Sequence, residues 1–259
     1  MSAANSNSTL LCLDTSTEAC SVALQYRGSI FSRFEVASRK HTRLLLPMID
    51  DVLAEARLDL SSINALGFTV GPGSFTGVRI GFGVAQGIAY GADLPVVPVS
   101  SLEAMAVSAC HRFKFPVGSL LLSIMDARMD ECYWALFCVA DNNELQRLCN
   151  DSLCAPEQIN LNIAFLSHEN SDLHLIGDGW NYADRLSLQP ASVAAEFYPD
   201  AKAVLTIAVN KFDEGAFENI ERVQPLYLRD RITWQKRRRL RDAETSAGNT
   251  EQNSNHKGS

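Results

Sequence analysis

The sequence is poor in the residue patterns that usually mark a catalytic centre. Its five histidines never fall at HxxxH or HExxH spacing, so no zinc-protease helix is written into it. It has no Gly-x-Ser-x-Gly elbow and no Gly-Lys-Ser/Thr loop, which removes the commonest serine-hydrolase and P-loop signatures. The seven cysteines are odd in number and include no CxxC pair. Cys12, Cys20, Cys132 and Cys138 sit among apolar, strand-like neighbours, which points to reduced core thiols in a cytoplasmic protein rather than a disulfide framework. No apolar run approaches the length of a membrane helix. Met1–Thr9 is small and polar, without a basic start, and is read as a disordered leader rather than a signal peptide.

What remains is ordinary globular composition over 259 residues, 46% hydrophobic and 20% charged. The formal charge of −7 argues against a surface given over to nucleic acid. The charge is unevenly spread: Arg229, Arg231, Lys236, Arg237, Arg238, Arg239 and Arg241 stand against Asp230 alone, making 229–241 +6 and the rest −13. Trp234 inside that stretch could stack on a base or simply anchor it. The tail after Arg241 lacks apolar periodicity and is expected to be disordered.

Patterning predicts three strands in a meander, Leu10–Asp14, Cys20–Tyr26 and Ser29–Val36, turned by Arg27-Gly28. Apolar residues at Leu44, Leu45, Met48, Ile49, Val52, Leu53 and Ala56 predict a helix over about 43–57, with Pro47 tolerable near its start. A strand at Ala65–Val70, a helix at Val78–Tyr90, a strand at Pro95–Val99 and a helix opened by Ser100-Ser101-Leu102-Glu103 follow. The order β-β-β-α-β-α-β-α is that of a ribonuclease-H-like domain with a mixed sheet. A second unit from about Pro116 has strands at Leu120–Met125, Cys132–Val139 and Leu173–Ile176, helix and loop at Pro156–Leu166, a helix at Ala201–Lys211 and an extended Pro225–Leu228. The expected divisions are a leader at 1–9, an N-terminal domain at 10–112, a C-terminal domain at 113–235, and a basic stretch with disordered tail at 236–259.

Two segments invite a functional reading. Gly71-Pro72-Gly73-Ser74-Phe75-Thr76-Gly77 joins a strand to a helix, the arrangement that presents backbone N–H groups to phosphate. It is equally the arrangement of a sharp turn with close helix packing. Asp14-Thr15-Ser16-Thr17 ends the first strand and is either a second phosphate turn or a hydroxyl-rich β-turn. Asp14, Thr15, Gly71, Gly73 and Ser74 are thus the candidate nucleotide-binding set, in degenerate form. The helix after the loop carries small residues in two rows, Gly77/Gly81/Ala85/Ala89 and Gly83/Gly87/Gly91. Each interior glycine costs about 1 kcal/mol of helix stability relative to alanine, so close approach of another backbone is expected. Together with the wide stripe of the preceding helix, this makes Leu45, Met48, Ile49, Val52, Gly83, Gly87 and Tyr90 a candidate partner surface.

Thr69-Val70-Gly71-Pro72-Gly73-Ser74-Phe75-Thr76-Gly77-Val78-Arg79-Ile80-Gly81 closely resembles the signature of the TsaB (YeaZ) family. Leu13–Thr17, Leu45-Leu46-Pro47, Val99–Ala104, Met125–Glu131 and Pro225–Asp230 fit the same family in order, so the resemblance spans about 10–235. It implies two ribonuclease-H-like domains of the actin/hexokinase-like fold. It also implies a non-catalytic partner of TsaD, the related subunit that transfers threonylcarbamoyl to the adenosine following the anticodon in tRNAs reading codons that begin with A. A TsaE-family ATPase would join them, tRNA would be met only through the complex, and the chain alone would form a homodimer, away from any membrane. TsaD-type enzymes carry a His-x-x-x-His metal motif after the strand matching Pro95–Val99; Ser101 and Met105 stand there in this chain, with Glu103 alone remaining. The resemblance therefore implies no metal, no cofactor and no catalytic residue. The alternatives are an ATP-dependent small kinase using Asp14 and the glycine loop, a metalloprotease (older names in this family read glycoprotease), and an RNA-binding module driven by 229–241.

Overall fold

The computed structural model describes residues 8–141, 144–159, 161, 172–186 and 188–229. The first sheet is built from β1 (Leu10–Asp14), β2 (Ala19–Tyr26), β3 (Ser29–Val36), β4 (Ala65–Gly71) and β5 (Val96–Ser100), in the order β3-β2-β1-β4-β5. The meander pairs antiparallel; β1–β4 and β4–β5 are parallel, joined through helices α1 (His41–Ala56) and α2 (Phe75–Ala92). The second sheet holds β6 (Leu120–Arg128), β7 (Glu131–Val139), β8 (Leu145–Arg147), β9 (Ser152–Cys154), β10 (Leu173–Ile176) and β11 (Ser192–Ala194). Its order is β11-β10-β6-β7-β8, with β9 also on β7, and it is likewise mixed.

The eight strands read from the sequence agree with β1–β7 and β10 to within three residues; the short strands β8, β9 and β11 were not anticipated. α1 begins at His41, two residues earlier than the periodicity indicated, which puts Pro47 in the second turn. Proline has no N–H to give the Arg43 carbonyl. Both residues are exposed, so water can satisfy that carbonyl. α1 ends where Arg57 turns left-handed and Leu58 donates back to the Leu53 carbonyl at 3.0 Å. Of the stretch Pro156–Leu166, the described part is a short 3-10 turn at Pro156–Gln158; most of the remainder lies outside the described residues, as do 230–259 and Met1–Asn7.

Helix α3 (Ser101–Phe113) lies between the sheets. Its residues Leu102, Met105, Ala106 and Ala109 pack with Leu121, Phe137 and Ile176 of the second sheet, while Ala104 joins Val97 and Val99 of the first. Only half of the expected capping box forms at its start. Ser100 Oγ accepts from the Glu103 amide at 3.2 Å, but the Glu103 carboxylate turns away to Arg147 on β8, at 3.1 Å.

Helix α4 (Ala201–Asp213) packs on the first sheet. It follows the second sheet in sequence, yet Ala201, Val204, Leu205 and Ala208 pack on Leu10, Cys12, Val97 and Val99 of the first. Gly67 explains the close fit. A Cβ there would lie 2.6 Å from Cys12 Sγ and 2.8 Å from the Ala208 Cβ, so only glycine lets α4 settle on β4. The chain then returns once more, as the Leu226 amide bonds the Val70 carbonyl at 2.8 Å. Residues up to Leu228 form one compact unit.

Candidate functional site

The two candidate phosphate segments meet at the carboxyl end of the first sheet, and they grip each other. The Ser74 amide donates to the Ser16 carbonyl at 2.7 Å, and Thr15 Oγ1 donates to the Gly77 carbonyl at 2.7 Å. Ser74 is the N-cap of α2, its Oγ accepting from the Gly77 amide at 3.3 Å. A Cβ on Gly73 would collide with the Ser16 carbonyl oxygen, and one on Gly77 with that of Thr15. The glycines therefore admit the chain's own turn. Gly71 needs its freedom for a second reason, a φ of +106°.

Asp14 is fully buried at the end of β1. Its Oδ1 accepts from Thr69 Oγ1 at 2.6 Å, Ser16 Oγ at 2.7 Å and the Ser16 amide at 3.2 Å; Oδ2 has no partner among the described residues. Burial pushes the carboxyl up to about 6 despite these donors. Asp14, Thr15, Gly71, Gly73 and Ser74 are thus brought together as expected, but Ser74 N and the Thr15 hydroxyl, the groups that would greet a phosphate, are already used.

Ser101 and Met105, one turn apart on α3, are both fully buried. The Met105 thioether lies against Gly177, where a Cβ would come within 2.9 Å of its methyl. A thioether and a hydroxyl are poor donors for the hard cation that two imidazoles would hold. Among the described residues no three His, Cys, Asp or Glu side chains converge to hold a metal ion. The residues at this position do not fit a metal centre.

The motif at Met125–Glu131 closes on itself through the second sheet. Asp126 accepts from the Tyr182 hydroxyl at 2.9 Å and the Arg128 amide at 2.7 Å, while its own amide donates to Asp178 at 2.9 Å. Burial raises the Asp178 carboxyl above the usual range.

The candidate partner surface divides. Leu45, Met48, Ile49 and Val52 are buried and pack with Leu11, Val22, Leu24 and Phe68, so they are withdrawn as contact residues. Their stripe is consumed by the sheet. Gly83 and Gly87 are exposed, a Cβ on either would meet nothing within 4 Å, and Tyr90 is 73% exposed. The two rows of small residues on α2 thus have different roles. Gly77, Gly81, Ala85 and Ala89 face inward, and Gly83, Gly87 and Gly91 face out. Leu46 on α1, 52% exposed, belongs to the outward set that sequence reasoning missed. So do Phe75, Arg79 and Tyr227. The Arg79 guanidinium lies 3.5 Å from the Phe75 ring centroid and donates to the Tyr227 hydroxyl at 2.9 Å. Phe75, Arg79 and Gly83 at i, i+4 and i+8 were the available signal.

The family described as "TsaD: tRNA N6-adenosine threonylcarbamoyltransferase" matches residues 33–236. The chain is 39% identical to the "tRNA threonylcarbamoyladenosine biosynthesis protein TsaB" of Haemophilus influenzae, over 89% of this chain and 97% of that one. The chain belongs to the TsaB family. The Escherichia coli TsaB is 38% identical over 88% of this chain and 97% of its own length. The solved structure "YeaZ from Pseudomonas aeruginosa" superposes with a TM-score of 0.79 at 38% identity, covering 85% of this chain and all of that one. As in other TsaB/YeaZ proteins, the fold is therefore the two-sheet, actin/hexokinase-like α/β arrangement. No helix among the described residues is long and apolar enough to cross a membrane.

Proposed function

We propose that this TsaB-family chain takes part in tRNA threonylcarbamoyladenosine biosynthesis as a non-catalytic subunit. It holds a TsaD-family transferase in working geometry, with a TsaE-family ATPase as third member, for modification of the adenosine after the anticodon. The observation that carries the reading is the use made of the glycine loop. Its Ser74 amide and its glycines receive the chain's own Asp14–Thr17 turn, while the outer row of the same helix is left bare at Gly83 and Gly87. A loop spent on internal packing favours a scaffold over the small-kinase alternative, and the thioether at Met105 disfavours the metalloprotease. The outward face of α2, with Leu46 of α1 beside it, is the surface assigned to the TsaD-family partner and, without that partner, to a second copy of this chain in the cytoplasm.

Reconstitution tests this directly. TsaD- and TsaE-family subunits of the same genome, with threonylcarbamoyl-adenylate and tRNA, should modify the tRNA only when this chain is added. Full modification without it, or ATP-dependent phosphorylation of a small substrate by this chain alone, would overturn the reading.

A further inference from the structure

Four of the seven cysteines gather in one apolar cluster on the second sheet: Cys132, Cys138, Cys149 and Cys154. Two of them are special in register. Cys132 on β7 stands directly opposite Cys154 on β9 in an antiparallel pair. Opposed residues of such a pair share a face, and their Cα atoms lie about 4.5 or 5.5 Å apart according to the rung. A disulfide spans Cα separations of about 4.4–6.8 Å, a range that includes both values. The other two thiols lack this relation. Cys138 stands opposite Gln146, and Cys149 lies between β8 and β9, outside the paired residues.

We propose that Cys132 and Cys154 are a modification site, a thiol pair that closes reversibly to a cross-strand disulfide on exposure to a low-molecular-weight disulfide such as glutathione disulfide. Cys154 is the entry point. It is half-buried where Cys132 is fully buried; burial raises its thiol, and the Trp134 indole N–H, donated to its sulfur at 3.1 Å, offsets part of that rise. Burial pushes the Cys132 thiol up to about 12, so it attacks slowly, and only a sulfur already held beside it.

The steps balance. Cys154 loses its proton to water and its sulfur attacks one sulfur of the small disulfide. That S–S bond breaks, and the departing thiolate takes up a proton. Cys132 then loses its proton, attacks Cys154 Sγ and expels the second small thiol. Two protein thiols are oxidised and one small disulfide is reduced to two thiols. The new bond pins Ser152–Cys154 to β7, immediately before the Glu157 carboxylate that pairs with Arg185. It has no bearing on the glycine loop or on the outer face of α2, so it stands apart from the subunit role above.

The test is chemical mapping of the native full chain. Reduced protein is equilibrated with glutathione disulfide, free thiols are blocked with N-ethylmaleimide, and the protein is digested with trypsin. Cleavage at Arg128, Arg147 and Arg185 places Cys132 and Cys138 on peptide 129–147 and Cys149 and Cys154 on peptide 148–185. The expected result is loss of two hydrogens from the intact protein and one linked peptide pair whose fragments join at Cys132 and Cys154, released by dithiothreitol. Cys154→Ser should abolish the link and Cys138→Ser should retain it. A native wild-type protein that keeps all seven thiols, that stalls as a glutathione adduct on Cys154, or that joins through Cys138 or Cys149 overturns the proposal. The wild-type map decides this even where a variant folds poorly.

Discussion

Thr69 on β4 donates its hydroxyl to the Asp14 carboxylate on β1 at 2.6 Å, fastening the ends of two parallel strands through a fully buried acid. The bond is short because the acceptor is ionisable and water is excluded. Donors from Ser16 and Thr69 favour the charged form, yet desolvation outweighs them and the carboxyl titrates at about 6 rather than 3.8.

The sign of the resulting pH dependence follows from that shift. The folded protein holds the Asp14 proton more tightly than the unfolded chain. This group's favourable contribution is therefore fully present below its unfolded value of 3.8 and is lost as pH rises through about 6. The span corresponds to about 3 kcal/mol. His111 and His174 are held below the usual imidazole value by burial and act in the opposite sense as pH falls. The difference between wild type and Asp14→Asn is thus the proper readout. Urea denaturation at pH 7 and pH 4 should show wild type gaining on the variant by up to about 3 kcal/mol toward acid. A pH-independent difference would show that Asp14 is solvated.

The two glycine rows of α2 should respond to alanine with opposite signs. Gly77→Ala drives a methyl into the Thr15 carbonyl and should cost about 1–3 kcal/mol. Gly83→Ala meets nothing within 4 Å and should gain about 0.5–1 kcal/mol from helix propensity. Thermal melts of the two variants check this; a destabilised Gly83→Ala would mean that the outer row packs inside the chain.

Gly87→Glu places a charge on the bare row where the fold has room for it. The variant should melt within a few degrees of wild type and lose most of its capture of the TsaD-family subunit in a pull-down. Leu46→Asp on α1 should weaken capture by a smaller factor. Undiminished binding by both folded variants would put the partner elsewhere.

Protein purified without added metal should carry no stoichiometric zinc or iron, because the Ser101 and Met105 positions offer a hydroxyl and a packed thioether. Calorimetry with ATP should show no low-micromolar affinity, since the Ser74 amide already serves Ser16. Metal analysis near one equivalent, or a tight ATP isotherm, would restore an enzymatic reading.

The sequence by itself determined the elements of the first sheet, the loop–helix junction at Gly71–Gly77 and the family. The elements and the junction are local matters, of alternation at period two, apolar spacing at 3.6 and glycines at fixed offsets; the family rested on the resemblance of six motifs in order. It could not say which neighbour each helix face meets. The stripe Leu45/Met48/Ile49/Val52 has the same periodicity whether it faces a sheet or a partner, and the structure buries it in the core of the first sheet. Nor could spacing distinguish glycines that receive a carbonyl from glycines that face solvent. Gly77 and Gly83 lie on different sides of one helix and about 9 Å apart along it, and the Asp14–Thr17 turn meets the helix at Gly77. The return of α4 to the first sheet was likewise decided by shape, because Gly67 leaves room for Ala208 across 141 positions of chain. A pattern of side chains fixes which surfaces need cover; long-range packing alone chooses what covers them.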